Sequence, residues 1–120
     1  MTQNNTIDTV EVRKEYYATG ALLSEIPYVN GERHGITKEY YSSGTLYAET
    51  PYVNNKEHGI EKWYYTSGAL QLESPYVNGK QHGIEKEYYP SGALWWAIPY
   101  VNGKKHGIKK TILRVRRPTL

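Results

Sequence analysis

Histidine recurs at residues 34, 58, 82 and 106, glutamate at 25, 49 and 73, and lysine at 14, 38, 62, 86 and 110, each set stepping by 24 residues. Imidazoles and carboxylates are the groups that ligate metals and move protons, so the first question is whether any set can converge on one reacting atom. Two strands per 24-residue step would separate equivalent side chains by roughly 9 to 10 Å, whereas ligands must lie about 2.0 to 2.1 Å from a shared ion. The histidines are therefore expected to pack beside turns, against Pro or Tyr, and to bond to backbone. The same separation keeps the glutamates from acting as a pair.

Nucleophilic chemistry is equally unsupported. The chain has no cysteine, its only aspartate is Asp8, and Ser24, Ser42, Ser43, Ser67, Ser74 and Ser91 fall at turn or alternating positions without a partnered base. Neither G-x-x-x-x-G-K-[ST] nor G-x-G-x-x-G occurs, and the isolated glycines suit backbone turns rather than phosphate loops. The expectation is a non-enzymatic protein with no catalytic residue, no metal and no cofactor.

The elements that carry these columns follow from the same period. Four units, 15–38, 39–62, 63–86 and 87–110, share 12 identical columns in a frame x-Y-Y-x-x-G-x-L-x4-P-Y-V-N-x3-H-G-I-x-K. Each holds two alternating runs between turn signals, such as 36–41 and 46–53, and no window shows helical i, i+3, i+4 spacing. Each unit reads as a β-hairpin. In both Tyr-x-Ser-Gly and Tyr-Val-Asn-Gly, a type I turn closed by a left-handed Gly predicts a three-residue loop, with Pro90 at the first central position and Asn55 standing for Gly.

That register predicts one face with Ile36, Lys38, Tyr40, Leu46, Ala48, Thr50 and Tyr52, and another with Tyr41, Tyr47, Glu49, Pro51 and Val53. Proline cannot donate to a ladder, so pairing should break near Pro27, Pro51, Pro75 and Pro99. Neither face is apolar enough to wall a sealed core. The fold class expected is all-β, a single-layer elongated antiparallel sheet of stacked β-hairpins. Residues 1–9 match nothing in the frame and are expected to be disordered, 10–14 supply a capping strand, and 111–120 form a basic closing segment.

Composition agrees with an open sheet. Apolar residues are 38 %, mean hydropathy is −0.73, and 13 Tyr and 3 Trp stand beside no Phe. Tyrosine, with an apolar body and a polar tip, suits a surface wetted on both sides. Residues 1–14 lack the basic and apolar regions of a signal peptide and no apolar run is long enough to span a membrane, which predicts a cytoplasmic protein. Net charge is +3, but residues 1–87 hold 12 acids against 8 bases, while 88–120 hold 7 bases and no acid. That basic end, with Arg114 and Arg116, could contact anionic lipid weakly; seven bases that also protect a strand edge argue against nucleic acid.

The side chains left to meet a partner are the lysine column, Lys38, Lys62 and Lys86, edged by Tyr40, Tyr64 and Tyr88, and the frame-breaking Trp63, Trp95 and Trp96. A ladder of cations beside aromatic anchors suits an acidic protein partner. Alternation would send Trp95 and Trp96 to opposite faces, one of them packing over Ile112, Leu113 and Val115. Open sheet edges would also permit homo-oligomers.

The run YYxSGxLxxExPYVNGKxHGIxKxYY resembles the MORN repeat, in the bacterial variant of YwqK-like proteins, over residues 12–112. The resemblance implies stacked hairpins in a curved single-layer sheet, no catalytic residue, and a role as antitoxin or immunity protein that sterically neutralises a toxin encoded next door. Eukaryotic MORN proteins imply an alternative, a membrane-surface or assembly scaffold. WYYTSG at 63–68 also resembles choline-binding repeats, which implies a carbohydrate-binding array, though at a different period.

Overall fold

The two turn sequences fold differently, and that difference sets the register of the whole sheet. Tyr-x-Ser-Gly makes the expected three-residue loop: the Gly44 N–H donates to the Tyr41 carbonyl at 2.9 Å, the Tyr41 N–H to the Thr45 carbonyl at 2.8 Å, and Gly44 has φ +96°. Tyr-Val-Asn-Gly instead makes a flush two-residue turn in which both central residues are left-handed, Asn30 at φ 52° and Gly31 at φ 79°, with Val29 opposite Glu32. This is the mirror-image turn whose twist matches that of its strands, and Asn-Gly is its strongest sequence signal. Asn55 does replace glycine at a left-handed position, φ 69°.

The computed structural model describes residues 7–106 and 110–111. Its strands are β1 (Val10–Tyr16), β2 (Leu22–Val29), β3 (Glu32–Arg33), β4 (Gly35–Tyr40), β5 (Leu46–Val53), β6 (Lys56–Glu57), β7 (Gly59–Tyr64), β8 (Leu70–Val77), β9 (Lys80–Gln81), β10 (Gly83–Tyr88), β11 (Leu94–Val101), β12 (Lys104–Lys105) and β13 (Lys110–Thr111). They form one antiparallel sheet in sequence order, with the short strands β3, β6, β9 and β12 capping the hairpin tips. The arrangement is all-β and single-layered, as the period predicts.

Pairing does break at the prolines. Between β2 and β4 the ladder holds at Glu25↔Lys38 and at the tip, Tyr28↔Arg33, but not between them. The chain turns a corner at His34–Gly35, where the His34 N–H donates to the Pro27 carbonyl at 3.1 Å. The proline has no N–H to lose on that side.

A second irregularity corrects the expected faces. Tyr40 pairs Leu46, but Glu39 pairs Ala48, so Tyr47 is an extra residue in β5; Leu23 and Trp95 hold the same place in β2 and β11. One inserted residue reverses which side chains share a side. Lys38 therefore stands with Glu25, Glu49, Ile36, Pro51 and Tyr40, and not with Ala48, Thr50 and Tyr52. We call this the lysine face. The opposite, tryptophan face carries Thr37, Glu39, Ala48, Thr50, Tyr52 and Trp63.

The bulge also brings its residue round to the tryptophan face. Tyr47 lies 6.1 Å from the Trp63 ring, and Trp63 pairs Ala48. By the same geometry Trp95 stacks on Tyr89 at 5.2 Å while Trp96 pairs Glu87. Trp95 and Trp96 thus share a face, contrary to simple alternation; Ile112, Leu113 and Val115, the expected cover for one of them, lie outside the described residues.

No sealed core forms between layers. The side chains buried among the described residues are Ser24, Thr37, Ala48, Thr50, Ser74 and Ile98, and register puts all of them on the tryptophan face. Tyrosine hydroxyls add bonds between the units. Tyr17, Tyr41 and Tyr65 donate to the carbonyls of Tyr40, Tyr64 and Tyr88, each at 2.6 Å, tying every unit to the next. Phenylalanine would bury the ring and leave those carbonyls without the bond. At the start of the sheet, Asp8 and Thr9 are tied to the Asn30 side chain.

Candidate functional site

On the lysine face the corrected register converts two columns into one belt. Lys14 pairs Glu25, Glu25 pairs Lys38, Lys38 pairs Glu49, Glu49 pairs Lys62, Lys62 pairs Glu73 and Glu73 pairs Lys86, so opposite charges alternate on successive strands. The sequence suggested a purely cationic ladder. In the structure Lys38 and Lys62 each have a carboxylate on both sides, and only beyond Lys86, where Ala97 follows, does the alternation stop.

Tyrosine bounds one side of the belt. Tyr40 donates to Glu25 Oε1 at 2.8 Å, Tyr64 to Glu49 Oε1 at 2.6 Å, and Tyr88 to Glu73 Oε1. Burial, and next the bond to the carboxylate, push Tyr64 and Tyr88 up to about 12. These hydroxyls therefore stay protonated donors and hold the carboxylates in place.

A row of exposed aliphatic side chains bounds the other side. Ile36, Ile60 and Ile84 are 49, 49 and 53 % exposed, spaced by two strands, or about 9.6 Å. Between them lie the prolines: Ile36 pairs Pro51 and Ile60 pairs Pro75. A shallow hollow is lined by Ile36, Pro51, Gly59 and Ile60 together with Glu49 and Lys62, which puts apolar row and belt in one depression. Strand alternation alone hides this row, because it gives the isoleucines a position without saying what covers them. The signal was present: nothing in a single layer could cover them.

The tryptophan face is organised differently. Trp63 and Trp95 are 37 and 38 % exposed and rest on tyrosines. Beside them is a half-buried polar group: Thr50 donates to Glu61 Oε1 at 3.2 Å, and Gln81 donates to Ser74 Oγ at 2.7 Å and Glu85 Oε1 at 3.1 Å. Burial, then the charge of Glu61, push the Glu57 carboxyl up to about 6. The Asn78 and Asn102 N–H groups donate to Nδ1 of His58 and His82 at 3.2 and 3.4 Å, so those imidazoles bond to backbone as their turn positions suggest.

The sequence-selected residues thus divide. Lys38, Lys62, Lys86, Tyr40, Tyr64 and Tyr88 come together on the lysine face; Trp63, Trp95 and Trp96 collect on the other. Arg114 and Arg116 lie outside the described residues. An open array of hairpin repeats with two wetted faces defines a repeat scaffold. The chain belongs to the MORN repeat variant family, whose pattern matches residues 12–30, 33–54, 57–78 and 81–102. Repeats of this family generally serve as membrane- or protein-binding modules. A search of curated proteins finds no match.

Proposed function

We propose that this protein is a non-enzymatic, cytoplasmic binding module whose partner is a protein, and that the partner is a bacterial toxin which it neutralises by covering the toxin's working surface. The observation that carries the protein-binding reading is the lysine face. Ile36, Ile60 and Ile84 stand half exposed along the alternating belt of Lys and Glu. Aliphatic groups in a row contribute binding energy when a partner removes them from water, and a belt of alternating charges selects the partner and its register. The antitoxin role is supported by the resemblance of the frame to YwqK-like proteins.

The test is co-expression with the product of the adjacent gene. A toxin whose growth arrest is relieved by this protein, in a complex disrupted by Ile36→Asp with Ile60→Asp, supports the reading; relief that survives both substitutions removes the lysine face from it. A second reading, an anionic lipid surface, is favoured by one feature, the absence of acids from residue 88 onward. It predicts sedimentation with anionic vesicles that is lost as salt rises.

A further inference from the structure

β1 opens the sheet, and its outer edge pairs with no strand among the described residues. In the repeats, strands of the same column have that edge occupied: β4 by β2, β7 by β5 and β10 by β8. All seven residues of β1 are exposed. The Thr9 N–H donates to the Asn30 side chain and the Thr9 carbonyl accepts from the Asn30 N–H, just past the end of β2, while the Tyr17 N–H donates to Ala21 just before its start. Odd-numbered residues of β1 therefore turn their backbone groups inward. Val10, Val12, Lys14 and Tyr16 turn theirs to the free edge.

We propose that β1 is a self-recognition edge, on which a second copy of this chain pairs antiparallel about a two-fold axis through Val12. The reading stands apart from any toxin partner. Outward backbone groups can meet outward groups only if the axis passes through a residue, and the side chains choose which one. Centred on Glu11, Arg13 or Lys14, the pairing sets that residue's charge against its own copy. Centred on Val12, it sets Val12 against Val12, Val10 against Lys14, and Glu11 against Arg13 twice over.

Several features prepare this register. Glu11 and Arg13 fall at the non-hydrogen-bonded positions, where facing side chains come closest. Arg13 is already held, with Nε donating to Glu11 at 2.8 Å and the guanidinium 4.3 Å from the Tyr28 ring centroid. The two copies would thus close a square of four alternating charges on the tryptophan face. On the lysine face the Val12–Pro27 pair would continue the aliphatic row across the axis.

The other way to cover this edge, stacking β13 of one copy on β1 of the next, suits the fold poorly. β1 and β13 run in the same direction along an otherwise antiparallel sheet, so that contact would be parallel. A two-fold contact also closes, where head-to-tail stacking grows without limit.

Light scattering on the full chain after size exclusion tests the proposal. Twice the 13.8 kDa chain mass is expected. Glu11→Arg or Arg13→Glu alone should weaken the dimer roughly tenfold, and the double exchange should restore it. Val12→Pro removes an outward N–H only and should abolish the dimer while the far-ultraviolet spectrum and urea midpoint of the monomer persist. A monomer at the highest soluble concentration overturns the proposal. So does a dimer indifferent to the charge exchanges, or a species that lengthens with concentration.

Discussion

The Pro51 ring lies so close to Gly59 that a Cβ on residue 59 would sit 2.8 Å from Pro51 Cγ. The contact is repeated at Pro75 and Gly83, where the distance is 2.7 Å, and at Pro27 and Gly35, where it is 3.0 Å. It explains why the His-Gly step recurs with the proline column: the chain turns its corner against the ring that interrupts the ladder. Gly59 also has φ +126°, in the region that side chains rarely adopt.

Gly59→Ala should therefore cost about 2 kcal/mol or more, from backbone strain and the clash together. Gly68→Ala, with φ +91° and nothing near the new methyl, should cost only about 1 kcal/mol. Urea unfolding of both variants checks the ranking. Adding Pro51→Ala should recover part of the Gly59→Ala loss, because the clash goes and the strain stays.

The tyrosine clamps predict a different kind of loss. In Tyr65→Phe the ring remains but the Tyr88 carbonyl loses its 2.6 Å donor, at about 1 kcal/mol. Tyr41→Phe should lose as much at the Tyr64 carbonyl, and the two should add, because they tie different pairs of units. Hydrogen exchange should quicken first at the inter-unit amides flanking the altered residue.

Glu57 gives the stability a pH dependence of known sign. Its carboxyl is raised from 4.5 to about 6, chiefly by burial and then by Glu61. A raised acid binds its proton more tightly in the fold, so its contribution is complete below about 4.5 and disappears as pH climbs through about 6. Glu57→Gln should thus stabilise at pH 7, by less than about 1 kcal/mol given its partial exposure, and have almost no effect at pH 4. Equal midpoints for the two proteins at pH 7 would count against the burial argument.

Much of this was legible in the period alone. Identical columns placed the hairpins, Ser-Gly fixed the three-residue loops, and the prolines marked where the ladder fails. What escaped was parity. A bulge adds one residue without a signature of its own, and its column, Leu23, Tyr47, Gln71 and Trp95, is among the most varied of the repeat. That side chain lies outside the pairing ladder and is free to differ. Missing it exchanges the partners of every lysine, turns a mixed belt into a cationic ladder, and assigns two tryptophans that share a face to opposite ones. The Asn-Gly signal for a flush turn is present in the sequence, but a uniform treatment of both turns overrides it.

The end of the belt offers the sharpest check of the corrected register. Each belt glutamate accepts from a tyrosine 15 residues later, Glu25 from Tyr40, Glu49 from Tyr64 and Glu73 from Tyr88. At the next step of the period both members change together, to Ala97 and Ile112. Ala97 pairs Lys86, which therefore has no carboxylate on that side. Ala97→Glu should accordingly raise stability by about 0.5 kcal/mol at low salt, an advantage that fades as salt screens it. A register without the bulge at Trp95 would set the new carboxylate on the opposite face from the lysines and predicts no gain. Conversely, Glu49→Ala opens the same gap between Lys38 and Lys62 and removes the acceptor of Tyr64, so it should cost about 1 to 2 kcal/mol. Paired urea titrations at low and high salt distinguish the two registers: a salt-sensitive gain from the substitution at Ala97 belongs only to the belt.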